Sequence, residues 1–218
     1  MNRQLFRIIP LLIGGLLIGA QPLFAGPPLL CHPFDIGQAR SLPWNGTGAW
    51  WNGRADYDLK SLVADTEAIL TPSTPVIVRM ETLRRAAIYA SRDVRVAKPL
   101  VGALNDRARR AVGTPGDALA FFDAGYLTET LRQISLLRGE TEIGAAADVA
   151  RAVIANIDGV SLVNRSVALR PDDPSLQFAA AIIARGAQQA TWHQHAAKAR
   201  QGTSKDALLA RNIHQLSE

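Results

Sequence analysis

Only one cysteine, Cys31, occurs in the 218 residues, so the chain cannot close an internal disulfide and must be held together by packing. Lysine is almost as scarce. Arginine outnumbers it 20 to 4, which raises the isoelectric point without implying a basic face. No stretch alternates apolar and polar residues at strand spacing, and this argues against a sheet. The signatures G-x-S-x-G, H-E-x-x-H, the Walker loop and G-x-G-x-x-G are all missing. No catalytic, metal or cofactor residue is therefore assigned, and an enzyme is the less favoured class. The short basic clusters, Arg84 with Arg85 and Arg107 with Arg109 and Arg110, read as solvated helix faces. Nucleic-acid binders carry a denser basic stripe, so that kind of partner is excluded.

What is present begins with a leader. Arg3 and Arg7 precede the uncharged stretch IIPLLIGGLLIGAQPLFAG, which reaches a small residue suited to cleavage at Ala25. Residues 1–25 are expected to be a secretory signal peptide, with the mature chain periplasmic or secreted. An uncleaved membrane anchor is the alternative, because the uncharged run is long enough to span a bilayer. Pro10, Gln21, Pro22, Pro27 and Pro28 interrupt it, and they favour the leader. Membrane contact is expected only through this segment, if it stays attached. Cleavage would remove Arg3 and Arg7 and lower the formal charge from +5 to about +3.

Residues 26–54 are rich in Pro, Gly, Trp and Asn and keep no period, so they read as an irregular arm. From residue 55 to 218 the text changes to apolar residues at helical spacing, broken by start and stop signals. A first helix is expected over about residues 56–70, with Asp56 and Asp58 at its capped start. Thr74 is expected to cap a second that has Pro75 in its first position, and Ser91 a third, kinked or broken near Lys98 by Pro99. Thr114 and Pro115 start another, which ends near Gly139. The next, from Ile143, is stopped by Asp158 and Gly159. Asp173 should cap a helix that begins at Pro174, and Ser204 the last one. Short turns force antiparallel neighbours. The expected fold is all-α: antiparallel helical hairpins in a short solenoid or a compact bundle, with the irregular arm in front.

The stretch RSVALRPDDPSLQFAAAIIA, with Ser166, Pro171 and Ala181, resembles the junction between two tetratricopeptide repeats. DALAFFDAGYLTETLRQ, with Gly125 and Tyr126, is similar to the opening helix of such a unit. The resemblance covers residues 117–184 and is degenerate: Gln177 and Ala184 stand where the family carries aromatic residues, and no thirty-four-residue period joins the two stretches. It implies a role in binding a protein or peptide, or in scaffolding.

Within the arm, CHPFDIGQARSLPWNGTGAWWNGR concentrates the unusual side chains. Cys31 beside His32 could serve as nucleophile or ligand, but neighbours in an extended chain point opposite ways. His193 and His195 stand about 200° apart on a helix, so they cannot share one metal ion there. Trp44, Trp50 and Trp51 are expected to pin the arm to the body, their outer faces offering contact to a partner. The candidate contact residues are Cys31, His32, Trp44, Trp50, Trp51, Arg54 and Asp58. The expected function is an exported, non-enzymatic, helical-repeat-like protein that binds a protein or peptide. The alternative is an exported enzyme or small-ligand binder, with a pocket between the arm and the first helices lined by Cys31, His32, Trp44 and Asp58.

Overall fold

The computed structural model describes residues 27–46, 51, 53–139 and 142–217. The expected leader and Trp50 lie outside the described residues. Among the described residues ten α-helices run in order: α1 (Pro28–Cys31), α2 (Leu62–Ile69), α3 (Val76–Ala90), α4 (Val94–Arg110), α5 (Ala118–Ser135), α6 (Glu142–Ile154), α7 (Gly159–Leu169), α8 (Pro174–Gly186), α9 (Trp192–Gln201) and α10 (Ala207–Asn212). Single 3₁₀ turns precede α2 and α5 and follow α10. The fold is all-helical, and no strand occurs among the described residues. No described helix is long and apolar enough to cross a membrane.

Two helices form the centre. All of α3 is buried except Arg85, and most of α5 is buried as well. A helix apolar on every side belongs inside a domain. Around them, α5 touches α1, α3, α4, α6 and α7, while α3 also meets α2, α4 and α8. Contacts of α8 with α1 and α3 bring together parts far apart in sequence. A linear solenoid packs each unit only on its neighbours, so this arrangement is that of a bundle. At the crossing of α5 and α7 two glycines face each other. A Cβ at Gly125 would lie 2.7 Å from the carbonyl oxygen of Gly159 and 2.8 Å from Val163, so only glycine permits this approach.

The start signals resolve in detail. Asp173 accepts hydrogen bonds from the N–H groups of Ser175 (3.0 Å) and Leu176 (3.1 Å) and caps α8 as expected. Asp117 gathers the N–H groups of Gly113 and Thr114 and the Thr114 hydroxyl at the start of α5. Other signals act differently. Thr74 gives its hydroxyl to the Ile69 carbonyl, and Pro75 precedes the first residue of α3 instead of occupying it. Ser91 closes α3 by donating to Ile88, and Asp93 caps α4. Asp158 accepts from Ser161 N–H (2.9 Å) and starts α7, with Gly159 its first residue, so this pair marks a beginning and not a stop. Asp58 accepts from Lys60 N–H at the 3₁₀ turn, whereas Asp56 pairs with Arg54. Asp206, not Ser204, caps α10. Helix α4 continues through Pro99, which is exposed and forfeits one backbone hydrogen bond.

The described residues of the arm are bound to the body at several points. Leu29, Leu30, Phe34, Ile36 and Leu42 are buried, Phe34 edge-on to Phe178 of α8. Side chains of the body pair with the arm's backbone. Glu81 accepts the Phe34 N–H (3.1 Å), and Arg84 and Arg85 donate to the carbonyls of Leu30 (3.2 Å) and Leu42 (2.6 Å). Tyr89 donates to Pro43 (2.6 Å) and accepts from Arg54 N–H (2.9 Å). Asn212 makes two hydrogen bonds with the backbone of Asp35. The fastening is thus mainly aliphatic burial and side-chain-to-backbone pairing. Trp44, half-buried against Arg84 and Tyr89, adds to it.

Candidate ligand cleft

One buried ion pair of the bundle, Arg79 with Asp123, borders a cleft. It lies between the turn after α2, the start of α3, the end of α4, the first turns of α5 and the end of α7, and encloses about 490 Å³. Arg79, Arg107, Arg110 and Arg170 line it together with Asp117 and Asp123, and Leu70, Pro72, Ala111, Leu119 and Ala120 supply apolar wall. The lining side chains are guanidiniums, carboxylates and aliphatic groups, so they can act on a ligand by charge and hydrogen bonding.

Its floor is a guanidinium–carboxylate cluster. Arg79, on the first turn of α3, donates from Nη1 to Asp123 Oδ2 at 2.6 Å and from Nε to the Thr74 carbonyl at 3.1 Å. Its Nη2 reaches the Thr71 carbonyl. Arg107, near the end of α4, donates from Nη2 to the same Asp123 Oδ2. Asp123 has no exposed surface. Burial pushes its carboxyl above the usual carboxylate range, although the two guanidiniums pull the other way. Asp123 Oδ1 and Arg107 Nε are buried without a hydrogen-bond partner. Arg170 Nε donates to the Pro115 carbonyl at 2.7 Å and holds α7 against the turn that begins α5. Asp117 is held below the usual carboxylate range, first by the Thr114 N–H and hydroxyl that it accepts. The four arginines exceed the two aspartates, and the excess of positive charge suits an anion.

The reading of the basic clusters as solvated faces holds for Arg109 and Arg110 and is corrected for Arg84 and Arg107. Arg84 is fully buried, paired through Nε and Nη2 with Glu81 at 2.8 Å, and Arg85 reaches the same carboxylate at 2.7 Å. Arg107 is turned inward, while Arg109 and Arg110 are exposed. The signal for buried charge was present in the sequence. Apolar residues surround every side of VIVRMETLRRAAIYA, so its charges have no solvent face to occupy. Asp123, between Phe122 and Ala124, stands in an equally apolar run.

The arm's candidate residues fall in separate places. Cys31, half-buried at the end of α1, has its thiol pushed up by burial, which Arg84 partly offsets. His32 lines a cavity of about 320 Å³ with Ile182, His214 and Gln215, and burial followed by Arg185 and His214 lowers its pKa. Trp44 lies 4.9 Å from the Arg84 guanidinium and edge-on to Tyr89. Trp51 borders a cavity with Gly53, Arg92 and Ala146. Arg54 is exposed and paired with Asp56. Asp58 lines yet another cleft, with Tyr57, Val63 and Val96. Tyr89 brings Trp44 and Arg54 to one place, but His32 and Asp58 border different cavities. No cluster of three metal-ligating side chains occurs among the described residues. Comparison with protein-family models, curated proteins and solved structures found no match to this chain.

Proposed function

We propose that the chain is an exported, non-enzymatic binding protein that engages an acidic segment of a protein or peptide partner at the arginine-lined cleft. The observation that carries the reading is the convergence of Arg79, Arg107, Arg110 and Arg170 on one cavity above a buried carboxylate. Arginine's planar fork is suited to carboxylates in a way that lysine is not. Export rests on the leader-like residues 1–25, and a partner-binding role agrees with the tetratricopeptide-like stretch. In that stretch Ser166 and Ala181 are buried on either side of the turn at Pro171. The volume of the cleft favours a second reading, a small-ligand binder, since such sites commonly enclose about 300–1,000 Å³.

The test is fluorescence polarisation with labelled glutamate-rich and lysine-rich peptides of equal length. The acidic peptide should bind, and the Arg110→Ala, Arg170→Ala double variant should weaken it by about tenfold or more. Equal binding of both peptides, or no effect of the double variant, would remove the cleft from consideration.

A further inference from the structure

We propose that the floor of the cleft recognises a carboxylate whose neighbouring carbon bears a neutral hydrogen-bond donor, as in a 2-hydroxy acid or an N-acylated amino acid such as a peptide's last residue. The inference rests on the cleft being the recognition site and supplies its chemistry.

The argument starts from a half-made fork. Arginine and carboxylate commonly pair through two parallel hydrogen bonds. Here Arg107 spends only Nη2 on Asp123, and both it and Arg79 Nη1 converge on the single oxygen Oδ2. The other half, Nε of Arg107 and Oδ1 of Asp123, is buried and unpartnered. Buried polar atoms are almost always paired, so this gap is a specific demand. One atom offers a proton and the other needs one. A group that answers both must bring an acceptor and a donor side by side.

This demand sorts the anions. Sulfate brings acceptors alone, and phosphate, although it carries an O–H, brings further negative oxygens that would face Asp123 Oδ1. A plain carboxylate answers Arg107 and leaves Asp123 unanswered. A carboxylate with an O–H or amide N–H on the next carbon answers both. A free amino acid brings an ammonium instead. That charge would meet two guanidiniums already bound to the same carboxylate, so a neutral donor is preferred. Arg110 and Arg170 at the cleft attract the carboxylate, and Leu70, Pro72 and Leu119 offer apolar surface to the ligand's side chain.

The experiment is an NMR titration of the full ¹⁵N-labelled protein that follows the Arg107 Nε–H signal, assigned by its loss in Arg107→Lys. N-acetyl-leucine and 2-hydroxy-4-methylpentanoate should both shift the signal. N-acetyl-leucinamide, which lacks the carboxylate, and N-acetyl-N-methyl-leucine, which lacks the donor, should each bind about tenfold or more weaker. Free leucine and inorganic phosphate should be weaker too. A preference between the two productive probes identifies a peptide terminus or a hydroxy acid as the source, and either supports the proposal. Arg110→Ala, at an exposed position, should weaken both, and thermal melting verifies that it folds. Equal binding of the N-methyl compound, or phosphate binding as tightly, overturns the proposal. So does no response to any small carboxylate, the result expected if Arg107 Nε simply closes on Asp123 Oδ1. If acidic peptides still bind in that case, the partner reading survives alone. If they do not, both fall.

Discussion

The guanidinium of Arg79 and the carboxylate of Asp123 meet at 2.6 Å between α3 and α5, and neither side chain has appreciable contact with solvent. Replacing Asp123 strands the charge of Arg79, whereas replacing Arg79 leaves Asp123 with Arg107 as its remaining ion-pair partner. Asp123→Ala is expected to lower stability by about 3–5 kcal/mol in chemical denaturation, because an unpaired buried charge is far costlier than the pair itself. Arg79→Met combined with Asp123→Leu should recover much of that loss. A single variant as stable as the parent would mean that water reaches the cluster.

The facing glycines of α5 and α7 allow a paired comparison. Gly125→Ala places a methyl against the Gly159 backbone and should destabilise the protein by about 1–3 kcal/mol. Gly102→Ala, on α4 with nothing within 4 Å of the new Cβ, should stabilise it by roughly 0.5–1 kcal/mol. Thermal unfolding of the two variants should therefore move in opposite directions.

Acid should loosen the cavity around His32. Its folded pKa lies below the ordinary 6.5, through burial and then Arg185 and His214. The unfolded chain then binds the proton more tightly, so the contribution is complete above pH 6.5 and is lost as pH falls toward the folded value. His195, lowered by burial and Lys198, adds a dependence of the same sign. Melting temperature should drop between pH 7.5 and pH 5, and the drop should shrink in His32→Asn with His195→Asn. An unchanged slope in that double variant would assign the effect elsewhere.

Asn212 pairs with both backbone groups of Asp35, at 2.8 and 2.9 Å. Asn212→Ala should cost about 1–3 kcal/mol. Amide hydrogen exchange should accelerate at Asp35 and its neighbours well before the α3 core responds. Uniform acceleration across the chain would show that the arm and the bundle open as one unit.

Helical class, the turn at Pro171 and the Asp173 cap were legible in the sequence because each depends on residues within a few positions of one another. The cap assignments that differ, Asp93 for Ser91 and Asp206 for Ser204, place a stronger acceptor two residues further on. Asp158 with Gly159 is ambiguous on local grounds, since an Asp–Gly pair serves equally as a turn or as a cap with a small first residue. The cleft was not legible. Arg79 and Asp123 are 44 positions apart, and only the packing of α3 against α5 decides that they meet. Arginine in an apolar helix should have raised the question of its partner, but no spacing rule names it. The arm was read as fastened by indoles. Among the described residues Trp44 takes part, but much of the hold comes from buried apolar residues and from Glu81, Arg84, Arg85, Tyr89 and Asn212, whose claim on a distant backbone leaves no local mark.

The hold of Asn212 on Asp35 spans 177 positions. A ribosome delivers the first of these residues long before the last, so the arm's final seat does not exist until Asn212 has been made. Joining residues so distant carries a loop-closure cost, and closure of this ring should be a late event in folding. Until then the segment of Leu29, Leu30 and Phe34 has no finished groove, and a nascent chain must keep those side chains from other company.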